Sequence, residues 1–238
     1  KEELVKGFQT IQEIKSGTKK DKILVIQPFG RSVNQVGPAV YDATSRSIES
    51  SNVVSIMEKL RTEYGILVMS QVPIDISENE DHPIAVPKES NLRLWAAMIH
   101  NADHFLGCDS VGQHIVKALN KTATVVIGST YPINISYPDD KDFDIIDVGK
   151  DKRVYSPIRL TMDDERDRAN NDCIVMDEKE IQLVVDSVKK RMGKGKKFEG
   201  TVEKHVHTNK CNHDDSSNYT KASPVKIPEG LKLMEEQG

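Results

Sequence analysis

The sequence lacks any apolar run near the roughly 18 to 20 residues that a helix needs to cross a bilayer. No charged-then-apolar leader stands before a small-residue cleavage site either. Positive charge is not in excess: Lys plus Arg is 33 against 37 Asp plus Glu, a formal net charge of -4. General binding to a nucleic-acid backbone is therefore disfavoured. Cysteine is scarce. Cys108, Cys173 and Cys211 are odd in number and far apart, so they cannot build a disulfide framework and fit a reducing, cytosolic compartment. There is no internal repeat. The chain begins with Lys1 rather than Met, as a processed product or a piece of a longer chain does.

What is present is enough for one good core: 238 residues, 37% of them hydrophobic and 29% charged. Composition divides the chain into three zones. Residues 1–21 place Leu4, Phe8, Ile11 and Ile14 at helical spacing ahead of Ser16, Gly17 and Thr18, which predicts a leading helix or linker. Residues 22–192 carry nearly all the periodic apolar pattern. Residues 193–238 open with Gly193, Lys194, Gly195, Lys196 and Lys197 and stay polar, so a flexible tail with no core of its own is expected.

Within the middle zone, Ile23 to Ile26, Ile66 to Met69, His104 to Cys108 and Thr122 to Ile127 are short apolar runs bounded by loop residues, as buried parallel strands are. Between them come helical spacings: Val53 to Tyr64 ahead of Gly65, Asn91 to Asn101 with Ser90 as an N-cap, and Val111 to Asn120. Asp177 to Met192 adds a long amphipathic helix. Strand and helix alternating with short links predict an α/β fold, an open parallel Rossmann-like sheet with helices on both faces.

In such a sheet, ligands sit beyond the carboxyl ends of the strands, which directs attention to residues 27–31, 70–74, 108–113 and 128–132. Asp109, Ser110, Val111, Gly112, Gln113 and His114 join the third run to its helix. The free N–H groups and positive dipole end of a first turn suit a phosphate or diphosphate. Gly112 allows close backbone approach, and Ser110 can cap the helix or bond a phosphate oxygen. The plainer alternative is that Asp109 or Ser110 only caps and Gly112 only eases packing.

These residues resemble a known pattern. Leu92 to Pro132, with Asp109, Ser110 and His114, then Ala118 and Leu119, then Gly128, Ser129, Thr130 and Pro132, is similar to the C-terminal, donor-binding half of glycosyltransferase family 9, the lipopolysaccharide heptosyltransferases. Ile23 to Gly30 resembles that half's first strand and its Pro, Gly loop. Residues 45–48 resemble its basic segment, and Cys173 to Val188 its closing segment. The resemblance spans about residues 22 to 190, with Val111 standing at the usual Gly and residues 31–44 as an insertion. It implies a two-Rossmann-domain glycosyltransferase whose donor, a nucleotide-sugar, is held by residues 110–113. Gly30 and Thr130 lie on flanking loops, and Arg46 neutralises leaving-group charge. About 20 residues precede the first strand, too few for an acceptor domain. The expectation is that another chain supplies that half and the catalytic base, or that the fold serves as a non-catalytic interaction subunit with a protein partner.

Several side chains carry two readings. His114 either touches ligand or bonds locally, and Arg46 either meets a phosphate or is a solvated helix-start residue. Trp95 and Met98 share a helical face and read as core. Cys108 reads as packing rather than nucleophile. In the tail, His205, His207, Cys211 and His213 are a candidate tetrahedral zinc set, against a solvated tail with incidental histidines. Val225, Ile227, Pro228, Leu231 and Leu233 form a candidate docking peptide. The acidic run at 163–167 reads as a solvated helix face.

Overall fold

The computed structural model describes residues 1–36, 39–42, 44–153 and 173–200. Ile23–Gln27 forms the central strand, β1, and all five of its residues are buried. Apolar side chains on both faces of a strand demand cover on both sides. The sequence supplies that cover with helices of opposite placement.

The strands are β1, β2 (Val33–Val36), β3 (Ala39–Asp42), β4 (Gly65–Val68), β5 (Ile84–Ala85), β6 (His104–Gly107), β7 (Ala123–Ile127) and β8 (Phe143–Asp147). The helices are α1 (Glu2–Thr18), α2 (Ser50–Leu60), α3 (Leu92–Asn101), α4 (Val111–Ala118), α5 (Pro132–Ile135) and α6 (Glu178–Met192). Six strands make one parallel sheet in the order β5-β4-β1-β6-β7-β8. Numbered along the chain, these six read 3-2-1-4-5-6, the doubly wound order. β2 and β3 form a separate antiparallel hairpin. All these elements lie in one unit, Lys1–Val202.

On one face, Leu24, Ile26, Ile66, Val68 and Leu106 pack against α2 through Val53, Ile56, Met57 and Leu60, and against α6 through Ile181, Val184, Val185 and Val188. On the other, Ile23, Val25, Leu67, Phe105 and Val125 meet Ile11 and Ile14 of α1, Trp95 and Met98 of α3 and Val116 of α4. The first helix is thus part of this second core. Its Gly7 permits the contact, since a Cβ there would lie 2.6 Å from the Ala97 carbonyl carbon.

The expected sheet is present, with details that differ from the sequence reading. Residues 31–44, read as an insertion, contain the hairpin. Two parallel strands, β5 and β8, extend the sheet at its edges. The N-cap of α3 is Asn91 rather than Ser90, its side chain accepting from Arg93 N and Leu94 N. Helix α2 ends at Leu60, and Gly65 opens β4 instead of closing the helix. A Cβ at Gly65 would lie 2.5 Å from Ile23 Cδ1, so the glycine serves strand packing. Helix α6 starts in a reciprocal capping box between Asp177 and Glu180. Among the described residues no helix is long and apolar enough to cross a membrane. The acidic run at 163–167, the 225–233 peptide and the four candidate zinc ligands lie outside the described residues. Among those described, no group of three or more His, Cys, Asp or Glu is placed to hold a metal.

Candidate functional site

The chain leaves β1 for β4 and β5 on one side, then returns to lay β6 on the other. Beyond the paired ends of β1 and β6, Gln27 and Gly107, the following connections therefore leave in opposite directions and open a crevice, the usual ligand position in doubly wound sheets. A cleft of about 480 Å³ lies there, with walls that include Gln27, Gly30, Arg46, Asp109, Ser110 and Val111. Trp95 and Leu92 of the α3 segment close one apolar side.

The start of α4 faces this crevice with no side-chain cap: Ser110 occupies the N-cap in extended conformation and its hydroxyl bonds elsewhere. Gln27 Nε2 donates to Ser110 Oγ at 2.9 Å and to the Phe29 carbonyl at 3.3 Å. The serine oxygen thus accepts from the strand and keeps its own proton for another partner. First-turn N–H groups left without a cap carry the positive end of the helix dipole.

Gly30 stands opposite. Its N–H donates to Ser47 Oγ at 3.0 Å, and Ile48 N donates to the Pro28 carbonyl at 2.8 Å, so two loops hold each other. A Cβ built on Gly30 would sit 3.7 Å from the Asp109 carbonyl oxygen and 4.0 Å from Ser110 Oγ, ordinary contact distances. Gly112 is different. Its Cβ would fall 2.1 Å from Gln27 Oε1 and 2.4 Å from Phe105 Cζ. The close approach it allows is therefore that of helix to sheet, the packing alternative of the sequence reading.

The charged residues form one polar chain. Asp109, buried, accepts from Thr130 Oγ1 at 3.1 Å, and its Oδ2 lies 3.9 Å from Arg46 Nη1. Burial raises the Asp109 carboxyl above its ordinary range, against the lowering pull of Arg46 and Thr130. Arg46 Nε donates to Thr44 Oγ1 at 3.0 Å. Thr44 and Ser47 in turn donate their backbone N–H groups to Asp42, at 2.8 and 3.1 Å, and their hydroxyls to it as well. Burial acts to raise the Asp42 carboxyl, yet the hydrogen bonds from Ser47, Thr44 and Ser32 prevail and hold it below the usual range. Ser129 Oγ donates to the Thr44 carbonyl, linking the loop after β7 to the same turn.

Among the residues singled out from sequence, Gly30, Arg46, Asp109, Ser110 and Val111 line the crevice together. Thr130 stands behind Asp109. Gln113 and His114 turn elsewhere: Gln113 Nε2 donates to the Ile135 carbonyl at 3.0 Å and its Oε1 accepts from Ser136, while His114 Nδ1 is 2.9 Å from Tyr137 Oη. Cys108 is buried beneath the site, where burial pushes its thiol far above the ordinary range. Sequence reasoning missed Asp42 and Thr44, and placed Ser47 in the 45–48 segment without a role of its own. Their signal was the polar run at 42–47, a short carboxylate followed by hydroxyls that bond back to it.

Two solved heptosyltransferases are similar to this chain. E. coli ADP-heptose lipopolysaccharide heptosyltransferase II matches over 78% of this chain and 52% of its own, with 12% identity and a TM-score of 0.46. E. coli heptosyltransferase WaaC, solved with ADP-2-deoxy-2-fluoro heptose, matches over 54% of this chain and 37% of its own, with 16% identity and a TM-score of 0.40. The chain thus spans about half the length of the first. No family model and no curated protein matches.

Proposed function

We propose that the crevice binds the diphosphate of a nucleotide-sugar and that the chain is the donor-binding part of a glycosyltransferase. The observation that carries this reading is the uncapped start of α4, opening beside Gly30 and Arg46 into the cleft at the reversal of strand order. Val111 to Gln113 offer backbone N–H groups to phosphate oxygens, and the Ser110 hydroxyl offers a further donor. Arg46 adds a formal positive charge, offset in part by Asp109. Breaking a bond from sugar carbon to diphosphate builds negative charge on the leaving phosphate, and fixed donors aimed at that charge lower the barrier.

A second reading, binding without turnover, is favoured by one feature. Among the described residues, Asp109 is the sole carboxylate lining the cleft, and it is already bonded to Thr130 and close to Arg46. A base for an acceptor hydroxyl would then have to come from another chain or another segment, and the protein would act as an interaction subunit.

Calorimetric titration of the full chain with UDP-, GDP- and ADP-sugars tests the first reading. Saturable binding is expected for at least one, weakened about tenfold or more by Gly30→Asp, which adds a carboxylate at a position whose Cβ meets only ordinary contacts. Absence of binding to all three would remove it. Donor binding with no hydrolysis or transfer would select the second.

A further inference from the structure

The helices run back along the sheet, so α1, α2 and α6 end at the amino-terminal edge of the strands, opposite the crevice. A second pocket, of about 760 Å³, opens there. Five lysines line it, Lys19, Lys20, Lys194, Lys196 and Lys197, against two carboxylates, Glu63 and Asp81. Lys20 donates to the Thr62 carbonyl, and Glu63 is taken by Lys189 from outside the pocket. Among the described residues, the ammonium groups of Lys19, Lys194, Lys196 and Lys197 have neither an ion-pair nor a hydrogen-bond partner.

This arrangement is held by backbone. Tyr64 Oη donates to the Gly193 carbonyl at 2.9 Å, Asp21 N to the Lys196 carbonyl at 3.1 Å, and Phe198 N to the Lys19 carbonyl at 3.1 Å. Lys196 N donates to Asp21 Oδ1 at 2.6 Å. Lys20 and Lys197 pair as an antiparallel bridge. Gly195 lies so near the loop before β4 that a Cβ would be 2.4 Å from the Glu63 carbonyl oxygen. Two lysine-bearing segments, distant in sequence, are thus fixed side by side. The same wall includes His82.

Like charges gathered on a concave, backbone-fixed surface repel one another, and a multivalent anion reverses the sign of that energy. Lysine presents a compact point charge well matched to phosphate oxygens. Among the described residues the pocket lining offers a base no phenyl, indole or guanidinium plane and a single imidazole, that of His82, and the chain's net charge of -4 works against a long polyanion. We propose that this pocket is a second anion site, taking a compact ligand with two or more phosphate groups. It stands independently of the crevice reading.

The test is calorimetry with inorganic tripolyphosphate on the full chain carrying Gly30→Asp, which places a negative charge in the crevice. One saturable site is expected to remain, weakening as salt rises. Adding Lys194→Glu and Lys197→Glu, both exposed, is expected to reduce its affinity about tenfold or more. An unchanged urea midpoint shows that the fold persists, and Lys196→Ala provides a milder variant with a smaller loss. Equal affinity with and without the charge reversals, or no saturation, overturns the proposal. Vesicles carrying a phosphoinositide separate free from lipid-borne phosphate: capture by vesicles without tripolyphosphate binding also contradicts it.

Discussion

Gln27 Nε2 donates to Ser110 Oγ across 2.9 Å, joining the last residue of the central strand to the N-cap of α4. The bond sets the depth at which the helix start meets the crevice. Gln27→Leu removes it and also deprives the Phe29 carbonyl of a donor. The expected cost is about 1–3 kcal/mol of stability, read as a lower urea midpoint, together with weaker nucleotide-sugar binding. Retained affinity at reduced stability would show that the tether serves folding alone.

The two site glycines should separate in their effects. Gly112→Ala drives a methyl into Gln27 and the Phe105 ring, and is expected to destabilise by about 1–3 kcal/mol. Gly30→Ala meets only ordinary contacts and is expected to leave the melting temperature nearly unchanged. Thermal unfolding of both variants checks the contrast, and equal losses would refute it.

This contrast also shows where a one-dimensional reading stops. The four central strands were legible because burial on both faces leaves continuous apolar runs such as Ile23 to Ile26. At the edges that signal fades: β5 has two residues, and β8 places Asp144 and Asp147 among its apolar residues. The loop at 109–112 was legible as a strand-to-helix junction. What faces Gly112 was not, because Gln27 lies 85 positions away and is brought there only by strand order. The same holds for Arg46 and Asp109, which meet through tertiary placement. Gln113 and His114 were drawn to α5 and Tyr137 by contacts that spacing does not encode.

Arg46 is the cationic side chain closest to Asp109, so Arg46→Gln is expected to weaken nucleotide-sugar binding about tenfold and to flatten its dependence on salt. Stability should change little, because the arginine side chain is 36% exposed and such pairs contribute about 0–1 kcal/mol. Calorimetry at two salt concentrations reads both effects. Unaltered affinity would mean that Arg46 only supports the Thr44 turn.

His104 supplies a pH dependence unrelated to ligand. Its ring is buried between Thr122 and Thr124, at 2.7 and 3.0 Å, and Thr124 continues to Ser187 and Asp144. Burial, with a smaller push from Arg191, lowers its pKa from 6.5 to about 3. Between those values the unfolded chain takes up a proton that the folded chain refuses. Stability is therefore complete above pH 6.5 and declines as pH falls toward 3, by at most about 1.4 kcal/mol per pH unit from this group. Carboxylates held low, such as Asp42 and Asp144, cost stability as pH falls through their ordinary range, and Asp109, held high by burial, acts with the opposite sign, so the histidine's share is read as the difference between the parent chain and His104→Gln in urea midpoints at pH 7, 6 and 5. His104→Gln should flatten that slope; an unchanged slope would assign it to other groups.

The central claim is that main-chain amides at the start of α4 grip a diphosphate, and amide chemical-shift mapping of the full chain with a nucleoside diphosphate tests it most directly. The expected result is that the largest perturbations fall on the N–H groups of Val111, Gly112, Gln113 and Gly30, and disappear in Gly30→Asp. Shifts confined to the lysine pocket, or absent from the α4 turn at saturating ligand, would contradict it.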